Sequence, residues 1–270
     1  MKNVSKWTAG AVLAVAAVLL PALPAAAYVK TSVDIDVNGE SRNMVVFAPD
    51  KAKGKMPLLI VTHGMNQNPE YQYENDRLYE LVDDEKFVIA YLRSKGNTWD
   101  IGGDADKNFV LQSVEEMKHR YKIDAKRIYW SGFSMGSMLI YHSLPTVQDV
   151  FAAFAPTSGI QFAEQPWAQT KKPVRLIHCH SSQDDVFKIE QFHVRDYIVH
   201  FKDVNAATEY TVTEDYRPEG SEDTGTKEVW KNPKNGSELV IYMQKGGGHC
   251  PTVNNRHEIW DFLKRFKLGK

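Results

Sequence analysis

Five consecutive residues carry the clearest chemical signal in this chain: Gly132, Phe133, Ser134, Met135 and Gly136. They separate an apolar run, residues 127–131, from an amphipathic stretch, residues 137–143, so the serine sits at a strand-to-helix turn. Such a turn must be sharp to push a hydroxyl out over the edge of a sheet. Glycines two residues to either side let strand and helix approach without a Cβ clash. The chemistry this predicts is nucleophilic attack by Ser134. A serine hydroxyl needs a general base, and His249 is placed to be one. It sits in Gly246-Gly247-Gly248-His249-Cys250-Pro251, after the last apolar run and before the last amphipathic one. Four other downstream histidines, His142, His193, His200 and His257, fall on predicted helices, and His178 ends a predicted buried strand. On a parallel sheet with a serine nucleophile, the acid comes from a strand end between nucleophile and base. Residues 174–180 lead into Ser181-Ser182-Gln183-Asp184-Asp185. Spacing leaves both aspartates open for that role, and either could instead cap the following helix. A developing oxyanion needs fixed N–H donors. The residue after the nucleophile, Met135, offers one. Met65, in Thr62-His63-Gly64-Met65-Asn66-Gln67, offers the other.

These groups need a scaffold that brings distant loops to one edge. Residues 58–62, 87–91, 127–131, 151–155, 174–178 and 239–243 are short apolar runs without alternation, which suits strands covered on both faces. Val110, Val114, Met117 and Tyr121 recur at helical spacing, and Ile259, Trp260, Leu263 and Phe266 give the chain a last amphipathic helix. Strands alternating with helices predict βαβ units and a mostly parallel sheet with helices on both faces. Val33, Ile35 and Val37 do alternate, so residues 33–48 are predicted as an antiparallel hairpin at the sheet edge, turned at Asn38-Gly39. Residues 215–236, with Pro218, Gly220, Gly225, Pro233 and Asn235-Gly236, are expected to form loops and a hairpin within the same domain. Residues 156–173 are too short for a large lid domain.

The chain has 270 residues, with 33 Lys+Arg against 34 Asp+Glu. That near-neutral balance excludes the basic face that a nucleic-acid binder needs. Its 43% hydrophobic content excludes a disordered chain. Lys2 and Lys6, the small and apolar residues 9–20, then Pro21, Pro24 and Ala25-Ala26-Ala27 have the layout of a secretory leader cut after Ala27. The expected product is one catalytic domain, residues 28–270, secreted or periplasmic, with no membrane anchor. Two cysteines, Cys179 and Cys250, survive that cut, and a pair in an exported protein is more often bonded than free.

In sequence order, the segments at 63–67, 132–136, 180–184 and 246–249 resemble secreted α/β-hydrolase esterases of the feruloyl esterase and polyhydroxybutyrate depolymerase type, carbohydrate-esterase family one. Phe151-Ala152-Ala153-Phe154-Ala155-Pro156 with Ser158-Gly159 is similar to the strand after the nucleophile helix in that group. The resemblance runs from about Val33 to Phe266. It implies an α/β-hydrolase fold and a serine esterase without cofactor or metal. It aligns Asp184, rather than Asp185, with the acid, through the family's His-Gly-Thr-x-Asp segment. Two departures stand out: Ser181 replaces the glycine of that segment, and Cys250-Pro251 stands where many relatives have a small residue and then Trp-Pro. The implied substrate is a carboxylic ester, feruloyl or acetyl on plant polysaccharide, with hydroxybutyrate polyester as the alternative. A catalytically silent binder on the same scaffold, or a serine peptidase, would share these residues. Trp99, Trp167 and Tyr71 are candidates to stack on an aromatic acyl group or a sugar ring. A Cys179–Cys250 bond would tie the acid loop to the base loop. A rival use of His178, Cys179, His180, His249 and Cys250 as metal ligands lacks zinc-type spacing.

Overall fold

Alternation within the buried strands decides the architecture. In the computed structural model, which describes residues 28–51, 53–162 and 165–269, Leu58 and Ile60 point into one apolar layer while Leu59 and Val61 point into another. A strand that buries both faces needs helices on both sides of its sheet.

Among the described residues the strands are β1 (Tyr28–Val37), β2 (Glu40–Pro49), β3 (Met56–Thr62), β4 (Val88–Leu92), β5 (Ile123–Phe133), β6 (Ala153–Thr157), β7 (Arg175–Ser181), β8 (Glu209–Tyr216), β9 (Gly225–Asn232) and β10 (Ser237–Gln244). The helices are α1 (Pro69–Asp76), α2 (Val82–Glu85), α3 (Ala105–Arg120), α4 (Met135–Val147), α5 (Pro166–Gln169), α6 (Ile189–Phe192), α7 (Val194–Val199), α8 (Phe201–Val204) and α9 (Arg256–Leu263). All ten strands form one sheet, in the order β1-β2-β4-β3-β5-β6-β7-β10-β9-β8. The six from β4 to β10 in that order run parallel, and antiparallel pairs flank them at both edges. This is the mostly parallel α/β-hydrolase sheet that the sequence predicted.

One layer of the core joins Phe109, Val114, Leu139, Tyr141 and Phe201 from α3, α4 and α8 to the sheet. The other joins Leu78, Val82, Ile259 and Trp260, with Trp260 stacked on Phe87 at 3.8 Å. The β1–β2 hairpin turns at Asn38 and Gly39, both with positive φ, as an Asn-Gly turn requires. The region 215–236 supplies β9, its loops and the turn into β10, but β8 ahead of it was not expected. Phe266, expected on the last helix, lies beyond α9 and packs on Phe262 at 5.0 Å. Between β6 and β7 the described residues contain only α5. The proposed leader, residues 1–27, lies outside the described residues. No helix among those described is long and apolar enough to cross a membrane.

Candidate active site

The C-terminal ends of β3, β5, β7 and β10 converge on one edge of the sheet. At the end of β5, Ser134 has φ 52° and ψ −115°, an unfavourable conformation for a residue with a side chain. The glycines around it make that turn possible. A Cβ on Gly136 would lie 2.2 Å from the Thr62 carbonyl oxygen, and one on Gly132 would lie 2.5 Å from that of Gly136. Gly159, after β6, passes equally close beneath, 2.3 Å from the Ser134 carbonyl oxygen by the same measure. The Ser134 N–H donates to the Thr157 carbonyl at 2.9 Å, which fixes the turn to β6.

The hydroxyl of Ser134 lies 2.8 Å from His249 Nε2, and His249 Nδ1 lies 2.9 Å from Asp184 Oδ2. Asp184 Oδ1 accepts the N–H groups of Phe187 at 2.7 Å and Val186 at 3.0 Å. Burial of this carboxyl works to raise its pKa, but the His249 hydrogen bond and the Phe187 N–H outweigh it and hold the group below the usual carboxylate range. Asp184 is therefore an anion facing the imidazole. Asp185, the other aspartate left open by spacing, is exposed. Two phenyl rings pack on the His249 ring, Phe133 at 4.8 Å and Phe187 at 5.7 Å. Its loop is pinned from the acid side, where the Ser182 hydroxyl accepts the Gly246 N–H at 2.9 Å. Ser182, next to the serine that departs from the family segment, thus joins the acid loop to the base loop.

The β3 end is held by an uncharged histidine. His63 Nε2 accepts the Ser94 N–H at 3.2 Å, so the ring proton sits on Nδ1 and is donated to the Gly64 carbonyl at 2.7 Å. Burial pulls His63 down to about 4. The same Gly64 carbonyl accepts the Gln67 N–H at 3.2 Å. In a trans peptide the C=O and N–H point opposite ways, so anchoring the Gly64 oxygen aims the Met65 N–H. Neither the Met65 nor the Met135 amide donates to an acceptor within the described residues. The loop runs against the nucleophile turn: a Cβ on Gly64 would come 3.0 Å from the Phe133 ring.

Behind the acid lies a chain that spacing did not reveal. His180 Nε2 is 2.9 Å from the Phe187 carbonyl, an acceptor only, so that nitrogen carries the proton. His180 Nδ1 must then accept from His178 Nε2 at 3.1 Å, and His178 Nδ1 from the Tyr141 hydroxyl at 2.8 Å. Burial depresses both imidazoles, so both stay neutral and one proton order fits the whole chain. It ends on Phe187, whose amide in turn binds Asp184. The sequence signal was two histidines at i and i+2 on one strand, which therefore share a face.

Two expectations need correction, the cysteine bond and an open face on Trp99. Cys179 and Cys250 are both free. Alternation along β7 turns the Cys179 side chain into the core layer with Tyr242, Ile259 and Trp260, opposite to His178 and His180, so it cannot meet a loop residue beyond β10. Trp99 is 3% exposed, and its indole N–H donates to the His63 carbonyl at 2.7 Å, so it supports the β3 loop and offers no open face. Trp167 stacks on His200 at 4.8 Å and meets Tyr197 edge-on. Tyr71 lies exposed on α1 and is not among the rings packed on His249. The aromatics the sequence reading missed are Phe187 and, stacked on it, Phe162.

Residues 42–198 match the profile of the family described as esterase PHB depolymerase. A bifunctional acetylxylan esterase/xylanase of Neocallimastix patriciarum is 35% identical over 232 residues, covering 85% of this chain and 34% of that protein. Feruloyl esterase B of Piromyces equi is 24% identical over 239 residues, covering 82% of this chain and 44% of that protein. The chain thus spans a third to under half of the length of these relatives. Among solved structures, the acetyl xylan esterase from Aspergillus awamori superposes with a TM-score of 0.68 at 14% identity, covering 86% of this chain and 98% of that one.

Proposed function

From the premise that this chain belongs to the esterase PHB depolymerase family, we propose that it is a serine esterase that cleaves carboxylic esters through an acyl-enzyme. The observation that carries this reading is the unbroken line from Ser134 Oγ to His249 to the Asp184 carboxylate, at 2.8 and 2.9 Å. Ser134 Oγ attacks the ester carbonyl carbon as its proton passes to His249 Nε2. The carbonyl oxygen becomes an oxyanion, held by the N–H groups of Met135 and Met65. One such donor lowers the barrier by about 3 kcal/mol. The tetrahedral centre then collapses, the C–O bond to the alcohol breaks, and His249 returns its proton to the departing oxygen. Water repeats the cycle on the acyl-serine: it adds, gives its proton to His249, and Ser134 leaves with that proton as the acid is released. Asp184 fixes the imidazole and stabilises its protonated form.

The substrate class that fits the relatives is an acetyl or feruloyl ester on plant polysaccharide. The family description also favours a second reading with the same chemistry, cleavage of a hydroxyalkanoate polyester. In this reading residues 28–270 act as one exported catalytic domain after loss of residues 1–27. A panel of acetylated xylan, methyl ferulate and hydroxybutyrate oligomers separates the substrates. Ser134→Ala tests the chemistry: the variant should keep its fold and lose ester hydrolysis by several orders of magnitude. Wild-type-like turnover in that variant would overturn the assignment.

A further inference from the structure

We infer that Phe162 is the platform of a sugar-binding subsite on the leaving-alcohol side of the catalytic histidine. The inference rests on the esterase reading and adds where the alcohol half of the substrate lies. His249 Nε2 must hand its proton to the departing oxygen, so that oxygen comes within hydrogen-bond reach of the ring. The acyl oxygen lies toward Met65 and Met135, and the alcohol extends on the His249 side.

Phe187 covers that side, its ring 24° from parallel with the imidazole at 5.7 Å. Phe187 is itself only 7% exposed, because Phe162 lies over it at 5.3 Å with an interplanar angle of 6°. Phe192 flanks Phe162 at 5.0 Å. Phe162 nonetheless stays 53% exposed, so much of its ring remains open to a ligand. Beyond it runs an open cleft of about 310 Å³, lined by Phe162, Phe192 and the wall formed by Trp167, with Gln165, His193 and Asp196 at its polar margin.

This pairing of chemistries fits a pyranose. The flat C–H face of the ring stacks on an aromatic face, and the outward hydroxyls meet amide, imidazole and carboxylate groups. A simple alkyl alcohol would use the ring and leave the polar margin idle. The leaving alcohol assigned here is therefore a hydroxyl of a sugar chain, with the next residues of that chain lying along the cleft.

The test compares two acetates that differ only in the alcohol, an acetylated xylo-oligosaccharide and ethyl acetate. Phe162→Ala should raise KM for the oligosaccharide about tenfold and change KM for ethyl acetate far less. Phe162→Trp should keep the oligosaccharide KM near wild type. Equal losses on both acetates would mean that Phe162 only supports His249 and would overturn the subsite, as would no change on either. Hydrolysis of ethyl acetate without any cleavage of the sugar ester would refute the subsite and leave the esterase reading standing. A binding measurement separates the two claims fully. Unacetylated xylotetraose should bind the Ser134→Ala protein by calorimetry, and adding Phe162→Ala should abolish that binding. Failure of Ser134→Ala to bind the tetraose would also overturn the subsite.

Discussion

At the level of single residues, the site depends on protons whose positions are dictated by neighbours that can act in one sense only. The Phe187 carbonyl can only accept, and this fixes the tautomers of His180 and His178 in turn. His180 thereby positions the loop whose amides bind Asp184. His180→Leu removes two buried hydrogen bonds, at a cost of about 1–3 kcal/mol for each group left unpaired. The expected result is a fall in kcat of about tenfold or more, with rescue by His180→Gln, whose amide can still donate to the Phe187 carbonyl. A purely space-filling role would make leucine the better replacement, and stopped-assay kinetics on the two variants decide between them. Ser134 and His249 were legible because glycine spacing marks each of them. Asp184 was legible only by resemblance. Two adjacent aspartates have the same chemistry, and what distinguishes them is a turn in which the Asp184 N–H donates to the Ser181 carbonyl. Trp99 misled because a tryptophan near a loop looks like a binding residue until its buried N–H is found to be spent.

At the level of elements, the sheet was readable wherever burial was complete. The continuous apolar runs that became β3 to β7 and β10 admit few other environments. The edge was not: β8 is exposed at every position except a half-buried Tyr216, Tyr210 and Val212 included, so its pairing with β9 leaves no continuous apolar run. The cysteine pairing failed for a similar reason, since which face of β7 Cys179 takes depends on register. Unreduced, denatured protein should titrate two thiols, and in the native state burial should keep Cys179 unreactive. One element junction has a cost that can be measured directly. Arg42 on β2 reaches Asp106 on α3 at 2.6 Å, both nearly excluded from solvent, and lies 4.0 Å over the Phe109 ring. Asp106→Ala leaves the guanidinium buried without its partner and should destabilise by about 3–5 kcal/mol. The denaturant midpoint should drop, while kcat measured well below that midpoint should hold.

For the whole molecule, buried titratable groups set opposing pH dependences. His63 is depressed from 6.5 to about 4, so its contribution is full above pH 6.5 and is lost as pH falls through 4. His178 and His180 are depressed as well and act in the same sense. Asp76 runs the other way. Burial raises it from 3.8 to about 6, so its contribution is full below pH 3.8 and is lost as pH rises through 6. Three histidines against one carboxyl predict a protein that loses stability in acid. Asp76→Asn should raise the melting temperature above pH 6, by the equivalent of about 3 kcal/mol, with the gain vanishing near pH 4. Gln72 can accommodate the change, because its Oε1 has no partner and could accept the new amide. The claim on which the whole account turns is that Ser134 is activated by His249 and Asp184. Intact-mass and peptide mapping after treatment with a fluorophosphonate tests it most directly. The account predicts one adduct per chain, on Ser134, absent in Ser134→Ala and slowed by orders of magnitude in His249→Ala. Labelling at another residue, or at the same rate without His249, would contradict it.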